Sequence, residues 1–309
     1  MAGGSEPDYF HHVRDFPFFE VLQGQHIPLP KILGFQITKF MVLQVLAGLL
    51  TLFVFRGLTK RVQSGKPVRG AFWNFWESVA LFVRDAVVRP TVGEGHHHDD
   101  HGDHSDHETS GHTAAGSAAI TPSGAVLVDA SHPADRYLPF IWTCFFYILF
   151  CNLLGAIPML GSATGSISVT VALALTAFCA TIYYSVDAIG VGAFFKNFLG
   201  GVEVKSPMDF VIAAILFPIE IVGFLIKHGV LAIRLFANIM GGHTVLGLML
   251  MFILMAADAA QGWIYYVVAP ASILGQVGIG LLELMVAFIQ AYVFAFLATI
   301  FIASGLHEH

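Results

Sequence analysis

The chain has 309 residues, of which 56% are hydrophobic and only 12% charged, about half the charged share of a soluble domain. Its mean hydropathy is +0.73, which excludes an ordinary water-soluble globule and points to several bilayer crossings. The net charge of −6 says little about partners, because much of the acid lies in one loop. Cys144, Cys151 and Cys179 sit in apolar runs with no CxxC pair, which argues against disulfides and zinc sites and for small buried apolar side chains.

Residues 1–36 read as a polar N-terminal segment without a signal-peptide pattern. Residues 37–55, ending in the uncharged "FMVLQVLAGLLTLFVF", predict the first membrane helix. Residues 56–93 form a basic loop and an interfacial helix. Arg56, Lys60, Arg61, Lys66, Arg69, Arg84 and Arg89 there outnumber Glu77 and Asp85, so the positive-inside rule puts this stretch in the cytoplasm and the N-terminus outside. Within it, "AFWNFWESVALFVRDAVV" (71–88) holds Glu77 and Arg84 seven apart on one helical face. Trp73 and Trp76 suit the headgroup level, so this segment is expected to lie along the interface.

Residues 94–135 are a low-complexity His/Asp insert followed by an Ala/Gly/Ser-rich linker. Imidazole and carboxylate at this density can hold divalent ions loosely, with His96, His97, His98 and His101 as weak candidates. No fixed ligand spacing recurs, so a solvated loop is the expected reading.

Residues 136–309 read as the membrane channel domain. No charge occurs over 137–186, and "GSATGS" (161–166) splits that run into spans of roughly 137–159 and 166–185. The loop after them is then cytoplasmic. Two longer runs follow, about 208–256 and 263–304. A helix of about 45 residues is roughly 68 Å long, against a hydrocarbon core of about 30 Å. No proline lies between Pro218 and Pro270, so the runs predict two long tilted helices in an antiparallel hairpin turning near "ADAAQGW" (256–263). The predicted fold is an all-α integral membrane protein of about five membrane helices plus the interfacial one, with the C-terminus in the cytoplasm.

Charge at bilayer depth costs about 2.5–3.5 kcal/mol on insertion scales and marks functional positions. The first long helix carries Glu220, Lys227, His228, Arg234, Asn238 and His243, and the second Gln276, Glu283 and Gln290. Glu220, Lys227, Arg234 and Gly241 are seven apart and share a stripe that drifts about 20° per step. Asn238, four on from Arg234, neighbours it. Ala237, Gly241 and Gly242 leave that face shallow enough for another helix. His243, nine residues on, points away from Arg234, about 180° around the helix. A register that sets Gln290 opposite Arg234 also sets His243 within two residues of Glu283. Two protonatable clusters at different depths then flank a fixed positive charge. His and Glu can exchange protons, whereas Arg cannot and would instead block leakage and attract a carboxylate. Singly, Glu220–Lys227 and His243–Glu283 read equally well as packing ion pairs; the set as a whole reads as a proton path.

"IEIVGFLIKHGVLAIRLFANIMGGHTVL" (219–246) and "LLELMVAFIQAYVFAFLATIFIASGLHEH" (281–309) closely resemble subunit a of F-type ATP synthases. "YLPFIWTCFFYILFCNLLGAIP" and the basic loop agree, and the likeness runs from about Phe40 to the C-terminus except for the His-rich insert. The resemblance implies that Arg234 matches the essential stator arginine facing the carboxylates of a rotating c-ring, with Gln290 and Asn238 as its neighbours. It implies that Glu220 belongs to the cytoplasmic half-channel and that His243, Glu283 and Asn152 belong to the outer one. Many bacterial members have an acid at the first of the two outer positions and a histidine at the second; here the two are exchanged, as in mitochondrial-like members. Gly155 stands where some members have an acid. Implied partners are the c-ring, the subunit b peripheral stalk, the catalytic head through that stalk, and lipid, in a bacterial inner membrane; no cofactor or nucleic acid is implied. The chain lacks a GxxxxGK[ST] phosphate loop and so reads as a non-catalytic, proton-translocating subunit.

The main alternative is a proton-coupled secondary transporter with a buried Arg/Glu/His site. That class favours internal repeats and helices broken at the midplane, and neither is evident here. A haem-binding cytochrome b needs histidines on facing helices, whereas His228 and His243 share one helix.

Overall fold

The computed structural model describes residues 18–21, 25–28, 31–32, 35–63, 70–93, 133–157, 161–197, 207–258 and 262–306. His96, His97, His98 and His101 lie outside the described residues, as does most of the insert. The N-terminal segment is not featureless. Phe18–Val21 pairs antiparallel with Gln25–Pro28, and Lys31–Ile32 with Phe35–Gln36. The rest of the described chain is helical, and five of its helices are long and apolar enough to cross a membrane.

Helix α1 spans Lys39–Gln63, past the predicted stop at 55. Nothing in "RGLTKRVQ" breaks a helix, and Lys60 and Arg61 in the last turn favour the negative end of the helix dipole. Arg56, Lys60 and Arg61 therefore sit on a helix and not in a loop. The chain divides into two compact units, one of them Leu52–Trp142. In that unit the predicted interfacial helix becomes α2 (Ala71–Val83), one π-helical stretch (Arg84–Val88) and α3 (Arg89–Gly93). The Arg61 guanidinium lies 4.0 Å over the Trp73 ring, whose indole also fills the space a side chain on Gly57 would need. Arg84 donates to the adjacent Asp85 at 2.7 and 3.1 Å. Arg89 grips Asp135 with two bonds of 2.9 and 3.2 Å.

The other unit, Met1–Thr51 with Thr143–His309, holds the helices that follow, apart from the first turn of the one that begins at Leu138. α4 (Leu138–Gly155) and α5 (Ile167–Ile189) flank a buried 3₁₀ turn, Ala163–Gly165. That turn packs with Phe40, Leu43 and Leu154. α5 ends at Gly190, whose φ of 84° suits glycine at a helix stop. A short α6 (Val191–Asn197) follows. The buried face of α5 is Thr170, Ala174, Ala177, Thr181 and Ser185, a stripe of threes and fours. Cys179 falls off that stripe and is exposed, contrary to the expectation that all three cysteines are buried; Cys151 is buried and Cys144 half-buried.

α7 (Pro207–Asp258) has 52 residues and α8 (Trp263–Leu306) has 44. Proline, which has no backbone N–H, suits the first position of α7, where an N–H would lack a partner. At about 1.5 Å per residue α7 is about 78 Å long. The limbs run antiparallel: Met249 meets Gly275, Gly242 meets Glu283 and His228 meets Phe301. α5 packs against both.

Candidate functional site

The face that α7 turns inward is set by His228, Leu231, Ala232, Leu235 and Ile239, spaced to form one stripe. Arg234 falls off it and is half-exposed. Glu220, Lys227 and Gly241, its partners at sevenfold spacing, are exposed. Among the described residues Arg234 has no hydrogen bond and no ion pair. Asn238, one turn on, is half-buried and its Nδ2 has no hydrogen-bond partner.

His243 points elsewhere, as its spacing from Arg234 requires. Its Nδ1 stands 3.5 Å from Glu283 Oε1, with the Glu283 side chain 7% exposed. That separation is loose for a charge-assisted hydrogen bond, and Glu283 Oε1 makes none. Glycine makes the approach possible: a Cβ on Gly242 would stand 2.7 Å from Glu283 Oε1. This corrects one expectation. Gly242 is small for the sake of Glu283, whereas Gly241 faces open space, with nothing within 4 Å of where its Cβ would be.

The rest of the predicted set divides. Gln290 is half-buried on α8, and no hydrogen bond joins it to Arg234 among the described residues. Asn152 is fully buried at the end of α4. Its Oδ1 accepts from Thr164 Oγ1 at 3.0 Å, and Thr164 shares a 2.9 Å bond with Ser162. This knot adjoins α7 through Gly165, beside Ile239 and Met240. Gly155 belongs to it too, because a Cβ there would run into the Ser162 side chain and come within 3.2 Å of its Cα. An acid at that position has no room here.

Sequence reasoning gave His228 no role. It is 3% exposed, ringed by Phe178, Phe224 and Phe301 at centroid distances of 5.2, 4.7 and 4.6 Å. Its Nδ1 is 3.0 Å from the Phe224 carbonyl. Its place on the stripe of Leu231, Leu235 and Ile239 was the available signal that it pins the three helices together.

Two cavities open along the α7–α8 seam, an outer one nearer the hairpin ends Asp258 and Trp263 and an inner one farther from them. The inner one, about 280 Å³, is lined by Asn238, Gly241, Gly242, Val245, Ile279 and Glu283 among others. The outer one, about 550 Å³, is lined by Met249, Phe252, Ile264, Val268, Ala271 and Ser272 with further apolar residues. The inner cavity brings two unsatisfied buried polar atoms, Asn238 Nδ2 and Glu283 Oε1, to one space.

Comparison with known proteins gives a consistent picture. The profile of a family described as ATP synthase A chain matches residues 124–303. A protein of Myxococcus xanthus named ATP synthase subunit a is 34% identical over 296 residues, covering 93% of this chain and 80% of its own. One of Chloroherpeton thalassium with the same name is 30% identical over 309 residues, covering 97% and 77%. A subunit a of Anaeromyxobacter dehalogenans is 43% identical over 176 residues, 57% of this chain; the matched part is 43% of that longer relative.

Proposed function

Because this chain belongs to the subunit a family of ATP synthases, as a multi-pass subunit of the membrane sector, we propose that it is the stator of proton-driven rotation. It is non-catalytic and passes protons to and from the carboxylates of a c-ring through two offset half-channels. A proton from outside reaches the ring by way of His243 and Glu283. The neutralised ring site then turns through lipid. On its return it meets Arg234, whose permanent charge favours the ionised carboxylate, and the proton leaves toward the Glu220 side. Gln290 and Asn238 flank the arginine. The N-terminus lies outside and the C-terminus in the cytoplasm, and the chain is held by subunit b and coupled through it to the catalytic head.

The observation that carries this reading is Arg234 itself. It is a guanidinium in a 47-residue apolar stretch that has no ion pair among the described residues. A charge so placed is costly unless another molecule completes it, and a passing carboxylate does so. Gly241, open and seven residues along the same stripe, gives a second helix room to approach.

Arg234→Ala in inverted membrane vesicles tests it. ATP-driven acidification is expected to vanish while ATP hydrolysis by the attached head persists. Normal acidification by the variant would end the proposal.

A further inference from the structure

The two seam cavities lie on one line. On α7 the lining residues Asn238, Gly242, Val245, Met249, Phe252 and Ala256 advance by threes and fours, and so stack on one face. The matching stripe of α8 runs through Glu283, Ile279, Ser272 and Val268. It is interrupted only where Gly275 faces Met249. There the Met249 sulfur lies 3.5 Å from where a Cβ on Gly275 would stand. Met249 therefore fills the space that glycine leaves, between the inner cavity and the outer one.

The two cavities differ in chemistry. The inner one has room for several waters at about 30 Å³ each, and water needs polar partners to stay. It supplies them in Asn238 Nδ2 and Glu283 Oε1. The outer one is twice the size but almost wholly apolar, with Ser272 as its one hydroxyl. Hydrophobic constrictions in membrane proteins close by excluding water. A methionine suits that task, because its three rotatable bonds let it leave a gap and refill it.

We propose that Met249, seated on Gly275, is the hydrophobic gate between the outer cleft and the hydrated Glu283 cavity, and that its swing sets how fast protons from outside reach Glu283. This rests on the reading of Glu283 as a proton carrier. Gly275 is the counterpart that keeps the swing possible.

The test uses the complete synthase in inverted vesicles, and the same vesicles after the catalytic head is washed off. Passive proton flux, normalised to the amount of this subunit, is expected to rise several-fold in Met249→Ala. It is expected to fall by at least about tenfold in Gly275→Leu, whose side chain occupies the space for the swing. The double variant should return toward the parent. If Gly275→Leu does not accumulate, Gly275→Ala should give a smaller decrease of the same sign. A second readout is independent of proton carriage. In right-side-out vesicles, Val245→Cys, which lines the inner cavity, should react several-fold faster with a small water-soluble thiol reagent from the outer side when Met249→Ala is also present. Unchanged flux and unchanged labelling would reduce Met249 to packing and overturn the gate. Unchanged flux in Glu283→Gln would instead overturn Glu283 as carrier, and the Val245→Cys labelling would still decide the gate.

Discussion

Between α4 and α5, Asn152, Ser162 and Thr164 pass hydrogen bonds to one another at 2.9 and 3.0 Å, all within 1% of complete burial. Along the α7–α8 seam, His243 and Glu283 stand 3.5 Å apart, Asn238 Nδ2 has no partner and Arg234 has no ion pair among the described residues. Both are polar clusters in the apolar part of the chain, where an unsatisfied group costs several kcal/mol (about 2–7 without a hydrogen bond). The first cluster meets that demand from within except at Asn152 Nδ2, which has no hydrogen-bond partner. The second leaves it open. On the function proposed above, something outside the chain completes these groups: water and a partner's carboxylate.

If the first cluster is structural, damage to it should remove protein and not merely activity. Gly155→Asp should do the most. Any Cβ at 155 collides with Ser162; overpacking costs about 1–3 kcal/mol and the buried carboxylate adds its desolvation. The expected result is a several-fold loss of the subunit from the membrane on immunoblot, partly reversed by adding Ser162→Gly. Asn152→Leu should do less. It strips the acceptor from Thr164 and leaves a buried hydroxyl, at about 1–3 kcal/mol. Thermal release of the subunit from detergent-purified complex should shift to lower temperature. Proton flux lost with full accumulation and unchanged thermal behaviour would move Asn152 from the structural cluster to the functional one.

The second cluster was legible in the sequence and the first was not. Spacing alone separated His243 from Arg234, and one antiparallel register brought His243 to Glu283, because a helix of fixed period and an uninterrupted apolar run leave little freedom. The long hairpin was readable for the same reason. The Asn152 knot joins the end of α4 to the 3₁₀ turn at Ala163–Gly165, and no periodicity says which hydroxyl a turn will present to which amide. Cys179 failed as a buried residue because residue type was weighed without the α5 stripe that excludes it. Gly242 was assigned to the wrong neighbour, since small residues show where a close approach is allowed and not which partner makes it.

Gly242 and Gly241 give the finest division within the seam, since both line the inner cavity but only Gly242 is backed by Glu283. Alanine at 242 would put a methyl carbon 2.7 Å from Glu283 Oε1, so the carboxylate must move away from α7. Passive proton flux through head-stripped vesicles is expected to fall by about tenfold, the equivalent of about 1.4 kcal/mol in a barrier, with the subunit present at its usual level. Alanine at 241 meets nothing within this chain. It should leave the subunit's level unchanged, because Ala is favoured over Gly in a helix interior by up to about 1 kcal/mol. Passive flux should also stay near the parent's, since Glu283 is untouched. The expected loss is in ATP-driven pumping, and only about two- to threefold, because a methyl group would hold off a helix packed against α7 by a fraction of its diameter. Equal losses of passive flux in both variants would erase the distinction between the wall that seats Glu283 and the face that meets a second helix. A loss of pumping in Gly241→Ala with passive flux intact would fix that face beside Arg234, on the side of α7 that this chain leaves bare.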